Sequence, residues 1–188
     1  KGKYHYIGEF KDGLPNGEGV IKYDAYQTFT GNFQDGYKEG KGEFIYKMKV
    51  ENDTILKDSV VKGYWCNDNY TGKSYKTFKF SGASRLSDYD VTPSKQSGNS
   101  LIFEVATTTN GTSYETRVQI TGLSVISTGE NKCNSRIISS YETGYKSYTN
   151  IEICGFPLKI SGQLSNGDNF ELELYKNANW KVRLNFTE

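Results

Sequence analysis

A sequence motif in the first eighty residues repeats at a fixed spacing, and this repeat constrains the fold more than any other feature of the chain. Gly8 and Gly19 return as Gly31 and Gly42, 23 residues later, and the residues between them keep the same pattern. Self-similarity at a period of this size is typical of a protein built from stacked copies of one small unit. The first part of the chain is therefore predicted to be a repeat array.

Each copy of the motif predicts a β-hairpin. From Tyr6 to Lys11 the side chains alternate between two faces, as they do in a strand. Residues 12–17, Asp-Gly-Leu-Pro-Asn-Gly, are rich in the residue types that turns use. A second strand follows and runs to Tyr23, so we expect the chain to reverse direction within each repeat.

The glycines inside these strands need a physical reason, because glycine in a strand interior costs stability. Aromatic rings that lie flat over the bare backbone of a neighbouring strand supply one. In the first repeat we expect Tyr6 and Phe10 to cover residues 17–19. Phe29 and Phe33 hold the same positions in the second repeat and are expected to cover its glycines.

A third, degenerate copy follows. Val61–Trp65 matches the opening strand of the motif, but it comes later than the period requires, which predicts an insertion around Val50–Asp58. Asn67–Asn69 replaces the Asp-Gly turn, and Ser74 replaces the second glycine of the pair. A drifted last repeat is typical of a cap, because its outer edge does not meet another repeat.

The pattern Tyr-x-Gly-x-Phe-x-x-Gly-x-x-x-Gly-x-Gly, present in residues 6–19 and with Phe for Tyr in residues 29–42, resembles the membrane occupation and recognition nexus (MORN) repeat. The resemblance covers roughly residues 4–80. It implies an open single sheet of antiparallel hairpins that acts as a scaffold for protein contacts or self-association, or as a rigid extension of another domain. Contact with anionic lipid is also implied by the resemblance, although the near-neutral charge of the chain gives it little support.

The remaining residues predict a second all-β domain, so that the domains are 1–80 and 81–188. Residues 81–84 and 92–99 have the composition of a linker or surface loops. Asn110-Gly111 and Asn166-Gly167 are typical hairpin turns. Strands are predicted at about 100–107, 114–121, 134–141, 147–154, 156–163, 169–176 and 180–186. Short strands separated by turns favour a β-sandwich or a barrel-like domain, and its family is not recognised from the sequence.

The composition of the chain limits the classes of partner that we expect it to bind. The net charge is +1, with no basic run or charge asymmetry, so nucleic acid is not expected as a partner. No stretch approaches the length of apolar sequence that a membrane span needs. The sequence begins at Lys1 rather than Met, which suggests either a processed protein or a trimmed sequence and leaves a secreted or cell-envelope location open.

Three cysteines leave at least one unpaired. A disulfide between Cys133 and Cys154 across neighbouring strands is one reading, and it requires an oxidising compartment. Two buried thiols are the other reading. The sequence leaves both open.

No pattern for catalysis or cofactor binding stands out. His5 is the single histidine and has no neighbouring nucleophile, while the paired glycines lack the helix and lysine of a phosphate-binding loop. Asp12, Asp35 and Asp68 are predicted to occupy equivalent positions in the turns, and each is followed by Gly or Asn, so turn chemistry explains them better than calcium binding does. We predict no enzyme activity, no cofactor and no metal site.

Aromatic residues of the array are predicted to share one face of the sheet. This stripe consists of Tyr6, Phe10, Tyr23, Phe29, Phe33, Tyr46, Trp65 and Phe78. An aromatic surface of this kind marks either internal packing or a contact site for a partner, and the sequence leaves both readings open. The predicted function is a non-catalytic interaction or scaffold protein that contacts protein or a second copy of itself. The alternative is a β-domain that binds a small molecule or glycan, with the repeats as a spacer.

Overall fold

A computed structural model describes residues 4–49, 56–95, 98–108, 118–128 and 134–187. These residues form strands and turns, and among them there is no helix that could cross a membrane. The chain divides into two compact units, Lys1–Thr77 and Phe78–Glu188. The strands are β1 (His5–Lys11), β2 (Leu14–Lys22), β3 (Gln27–Gln34), β4 (Tyr37–Lys49), β5 (Leu56–Cys66), β6 (Asn69–Gly72), β7 (Phe78–Gly82), β8 (Leu86–Pro93), β9 (Ser100–Thr108), β10 (Ile120–Ser127), β11 (Arg136–Thr143), β12 (Lys146–Glu152), β13 (Leu158–Leu164), β14 (Asn169–Leu174) and β15 (Trp180–Thr187).

The first unit is one antiparallel sheet in which β1 to β6 follow each other in chain order. This confirms the predicted open sheet of hairpins. The tight turns carry two residues of positive φ, 52° and 80° at Asp12 and Gly13 and 51° and 90° at Asp35 and Gly36. Two successive positive φ angles are the geometry of type I′ turns, which match the twist of the strands they join. The Asp-Gly pairs of the motif therefore specify where each hairpin turns.

Glycines form a continuous ladder across the sheet. The residues opposite each other on neighbouring strands are Gly8, Gly19, Gly31, Gly42 and Gly63. A Cβ added at Gly19 would lie 2.5 Å from Cε2 of Tyr6, and one added at Gly42 would lie 2.7 Å from Cε2 of Phe29. Such distances are far inside van der Waals contact, so these two rings do lie over the glycine backbone as predicted.

Phe10 and Phe33 do not cover glycines, which corrects the sequence-based expectation. The register of the sheet shifts between Gly8 and Phe10, and again one repeat later just before Phe33. These irregularities move both rings away from the glycine ladder. Gly17 and Gly40, which begin the two segments that these rings were expected to help cover, have φ of +84° and +82°, and glycine is required there for that backbone conformation instead.

The third repeat, β5 and β6, differs from the first two in the connection that leads into it and in its turn. β4 and β5 pair along their described length as far as Lys49 and Leu56, so the insertion lengthens the connection between the second and third repeats, and residues 50–55 of the predicted insertion lie outside the described residues. Tyr70 covers Gly63 from β6, with a ring carbon 2.7 Å from an added Cβ. In the turn, Asp68 has φ of 68° and takes the place of Gly36 rather than of Asp35, which corrects the predicted alignment of the turn aspartates.

The second unit is a β-sandwich, as predicted. One sheet has the order β10-β13-β14-β7, and the other has the order β11-β12-β9-β15-β8, in which β9 and β15 are parallel. Alternate residues of both sheets are buried in one cluster, which includes Phe103, Phe170, Leu172, Trp180 and Leu184. Buried and more exposed residues alternate along β13, β14 and β15, so one face of each strand lies in the core.

Two strands of the sandwich were missed from the sequence. β7 and β8 occupy part of the predicted repeat and linker residues, and Phe78 belongs to the sandwich, 6.4 Å from the ring of Trp180, rather than to the aromatic stripe of the array. The strand predicted at 114–121 begins instead at Ile120, and residues 114–117 lie outside the described residues. The turn predicted at 166–167 is confirmed by a φ of +87° at Gly167, whereas the one at 110–111 falls outside the described ranges.

Candidate functional site on the repeat sheet

The aromatic face is the side of the first sheet that carries most of its rings. A row of residues paired across five strands, Tyr6, Ile21, Phe29, Phe44 and Val61, defines this face. Further members are Phe10, Tyr23, Phe33, Tyr46, Trp65 and Tyr70, each in ring contact with the row or with a neighbour of it. The sequence prediction had named most of these residues but had missed Phe44 and Tyr70.

Three of the predicted contact residues are the core of this sheet. Phe29, Phe33 and Trp65 are buried, and the Phe29 ring packs edge-on against Phe33 at 5.4 Å and against Trp65 at 4.9 Å between centroids. The bare backbone of the glycine ladder allows the Phe29 ring to sink onto the sheet. These three side chains are consequently not available to a partner.

The other predicted residues reach the surface. Phe10 is 61% exposed and contacts the half-buried ring of Tyr6 edge-on at 5.0 Å. Tyr23 and Tyr46 are also half-buried, at the opposite end of their strands from the tight turns. The aromatic face thus has a buried centre and an exposed margin.

Lys38 lies within the aromatic face and was not predicted. Its Nζ is 5.5 Å, 5.6 Å and 5.9 Å from the ring centres of Tyr23, Phe29 and Phe44, and it donates a hydrogen bond of 3.2 Å to the Tyr23 hydroxyl. Its charge is balanced by the Asp68 carboxylate at 3.7 Å. A largely desolvated cation over three ring faces is a stabilising arrangement, and it leaves this part of the face without net charge.

The hairpin turns at one end of the strands are linked by a backbone hydrogen bond that recurs from one repeat to the next. The Gly36 N–H donates to the Pro15 carbonyl at 2.9 Å, and the Asp68 N–H donates to the Lys38 carbonyl at 3.1 Å, one repeat further along. The Asp68 carboxylate also accepts a 2.9 Å hydrogen bond from the Lys38 N–H. This aspartate stabilises a turn, as the sequence predicted, through a contact between neighbouring hairpins.

A polar cluster beside the third turn fixes Tyr75. Its hydroxyl donates to the Glu39 carboxylate and lies 3.6 Å from Sγ of the buried Cys66 thiol. The other Glu39 oxygen accepts a 2.9 Å hydrogen bond from the Asn67 N–H. Burial and these hydrogen bonds raise the pKa of Tyr75 well above its usual value, so the phenol stays protonated and acts as a donor.

The remaining sequence candidates lie away from this face. Cys154 is in a disulfide bond, while Cys133, its predicted partner, lies outside the described residues, so that pairing stays a prediction. His5 is exposed at the start of β1. Within the described part of the chain, no group of His, Cys, Asp and Glu side chains is placed to hold a metal ion.

Comparison with known proteins addresses the repeat directly. The MORN repeat family matches residues 6–26 and 29–49. Alsin from Rattus norvegicus and from Mus musculus is 26% identical to this chain over 73 residues, which are 39% of this chain and 4% of alsin. The inactive protein tyrosine kinase pTKL from Plasmodium berghei (strain Anka) is 44% identical over 46 residues, which are 24% of this chain and 4% of that protein. No solved structure matches.

The matched segments therefore span about 4% of the length of these relatives, and the residues that match the family lie in β1 to β4 of the repeat sheet. Repeats of this family are commonly sites of protein or membrane interaction. The two matched ranges begin at Tyr6 and Phe29, the two aromatic residues that cover the glycine ladder in successive hairpins. Two segments of the repeat sheet, residues 6–26 and 29–49, therefore match the MORN repeat family that the sequence pattern resembles.

Proposed function

We propose that this chain is a non-catalytic interaction protein and that its aromatic face binds a second copy of the chain. The observation that supports this most directly is Phe10, a large apolar side chain that is 61% exposed at the margin of an aromatic face. Tyr6, Tyr23 and Tyr46 extend the same surface as half-buried rings. Contiguous exposed aromatic surface of this kind marks contact sites in soluble proteins.

The charges of the face favour a second copy as the occupant. Lys38 is held over the rings, and its charge is paired with that of Asp68. When two copies meet through this face, Lys38 of one copy therefore does not bring an unpaired charge against Lys38 of the other. A two-fold interface uses the same patch on both copies, and the patch must therefore be self-complementary. Aromatic rings without net charge meet that requirement.

The size of the face favours a weak, reversible dimer. Six strands about 4.8 Å apart, with about seven residues each at about 3.3 Å, give a face of roughly 550 Å². Two such faces bury roughly 1,100 Å² at most, which is the lower end of the range for specific interfaces. We therefore expect a dimer that dissociates on dilution, with a dissociation constant in the micromolar range.

Sedimentation velocity over a concentration series tests this proposal. Phe10→Ser removes the most exposed ring of the face, and we expect it to weaken self-association at least tenfold. Ile7→Ser is the matched control, because Ile7 lies on the same strand, is also 61% exposed and points to the opposite face. Wild type that stays monomeric at a few hundred micromolar, or an equal loss of association in both variants, overturns the proposal.

The alternative, a small-molecule or glycan site in the sandwich, gains no support from the interior of that unit. Phe103, Phe170 and Trp180 fill the space between the two sheets and are buried. A ligand there would have to displace close-packed side chains, which costs several kcal/mol. Any ligand of the sandwich is therefore sought on its outer surface.

A further inference from the structure

The outer face of the five-stranded sheet carries a row of polar and aromatic residues. Pairing across β11, β12, β9, β15 and β8 aligns Tyr141, Tyr148, Glu104, Arg183 and Asp90. These side chains point away from the core because Phe103, next to Glu104 in β9, points into it. The row lies in the sandwich and plays no part in the contact proposed for the repeat sheet.

Glu104 is the centre of the row and is enclosed by cations. Its side chain is 2% exposed, and its oxygens lie 2.8 Å from Lys146 Nζ, 2.8 Å from Lys181 Nζ and 3.4 Å from Arg183 Nε. Burial alone raises the pKa of this carboxyl, but the hydrogen bonds and charges of Lys146 and Lys181 outweigh it and lower the pKa to about 2. Glu104 is therefore ionised, and it holds three cations in fixed positions.

The three cations have more donors than Glu104 uses. An ammonium has three N–H groups and a guanidinium has five, and each of these side chains remains 31–47% exposed. Asp90 lies 3.9 Å from Arg183, so within the ion-paired cluster three positive charges face two negative ones, and Asp88 lies one residue pair further along β8 on the same face. The cluster consequently keeps a net positive charge and presents oriented donors to the solvent, which is the chemistry of an anion site.

Aromatic and amide groups lie beside this cluster. The rings of Tyr141 and Tyr148 are stacked, 4.9 Å between centroids and 17° between planes, and Tyr141 is exposed. In the adjacent row Asn150 donates a 2.9 Å hydrogen bond to Ser139, and Lys181 stands two strands away. Tyrosine rings can pack against the C–H groups of a sugar, and the neighbouring amide and hydroxyl side chains can form hydrogen bonds with its hydroxyl groups. The arrangement therefore suits a sugar.

We propose that this outer face binds an anionic saccharide, with the acidic group of the sugar held by Lys146, Lys181 and Arg183 and the sugar ring packed against the tyrosine pair. The acidic group is a carboxylate or a sulfate, because both accept several charge-assisted hydrogen bonds from such donors. An acidic peptide would use the same cations but would gain little from the stacked tyrosines. The row therefore favours the saccharide.

Calorimetric titration of the full chain tests the proposal with named probes. We expect a galacturonate hexamer or a heparin-derived hexasaccharide to bind, and the neutral maltohexaose to bind at least tenfold more weakly. Binding of the first supports a uronate, and binding of the second supports a sulfated sugar. No binding of either acidic oligosaccharide overturns the proposal, and so does equal binding of a poly-glutamate peptide or equally tight binding of inorganic sulfate alone.

Matched variants test the location. Lys181→Gln removes one cation of the cluster, and Lys159→Gln is the control, because the Lys159 side chain is also 47% exposed and lies on the other sheet. We expect the first to weaken binding at least fivefold and the second to leave it unchanged. Tyr141→Ser, a change at an exposed ring, is expected to weaken binding of the saccharide without weakening the binding of sulfate. Binding unaffected by both Lys181→Gln and Tyr141→Ser refutes this location.

Discussion

The packing of rings over glycines predicts that alanine costs much more stability at one of two equivalent glycine positions than at the other. Gly19 and Gly42 hold the same position in successive repeats, and a Cβ at each would lie 2.5 Å and 2.7 Å from the Cε2 atom of Tyr6 and Phe29, respectively. Carbon atoms in contact stay about 3.5–4.0 Å apart, so each ring has to move by about 1 Å if the glycine becomes alanine. The cost depends on whether the ring can move.

Phe29 cannot move without disturbing its neighbours. It is fully buried between Phe33 and Trp65, and Lys38 lies over its ring. Overpacking in such a site costs about 1–3 kcal/mol, while the lower chain entropy of alanine in the unfolded state returns about 0.4–1 kcal/mol. We therefore expect Gly42→Ala to lower the free energy of unfolding of the repeat unit by about 1.5 kcal/mol.

Tyr6 is half-buried and can tilt toward solvent. The tilt gives up the 2.9 Å hydrogen bond from its hydroxyl to the Glu9 carbonyl, which is worth about 1 kcal/mol. The same entropy gain offsets most of this loss, so Gly19→Ala is expected to cost about 0.5 kcal/mol or less. The two substitutions should thus differ by about 1 kcal/mol although they are identical in the sequence motif.

Urea unfolding followed by fluorine NMR of 5-fluorotryptophan measures the effect. The chain has two tryptophans, Trp65 in the repeat unit and Trp180 in the sandwich, so each unit reports separately. Phe29→Leu should relieve part of the Gly42→Ala cost in a double-mutant cycle, because the smaller side chain leaves room for the methyl group. Gly42→Ala that costs no more than Gly19→Ala, or a cycle without coupling, would refute the reasoning.

Three further outcomes follow from the structure. Lys38→Met should destabilise the repeat unit by about 1–2 kcal/mol in urea unfolding, since it removes a cation from three ring faces and leaves Asp68 without its charge partner. The folded pKa of Glu104 lies below its ordinary value of 4.5, so the sandwich should lose about 2 kcal/mol as the pH falls from about 5 to 2, and Glu104→Gln should flatten this part of a thermal-unfolding pH profile. Gly36→Ala, at a φ of +90°, should cost about 1 kcal/mol in thermal unfolding, and Gly36→Asn should cost less.

The repeat array could be predicted from the sequence because the residue patterns that specify each hairpin are local. The Asp-Gly turns and the alternation of β1 and β2 involve residues close together in the chain. The prediction of which rings cover the glycines was half right. The positions of Tyr6 and Phe29 follow from alternation, whereas those of Phe10 and Phe33 depend on register shifts that no residue type predicts. A bulge changes which residues face each other, and it is decided by the whole sheet.

The sandwich was harder to predict, because its pairings are long-range. β8 has mostly exposed residues at the edge of a sheet, so Leu86–Pro93 carries little apolar signal. The site around Glu104 depends on the parallel pairing of β9 with β15, which brings Arg183 beside Glu104 from far along the chain. Alternation along β15 places Arg183 on the face opposite to the core, and nothing near Glu104 in the chain marks Glu104 as buried.

The glycine ladder also explains how a single sheet can have both a core and an exposed aromatic margin. Most sheets bury one face against a second layer, whereas here the rings of one strand use the backbone of the next as that layer. This arrangement buries Phe33 and leaves Phe10 exposed, although both hold the same position of the motif on the same face. The motif therefore does not by itself say which aromatic residues are exposed. Position in the sheet decides it, because a ring at the margin lacks the neighbours on both sides that bury the rings at the centre.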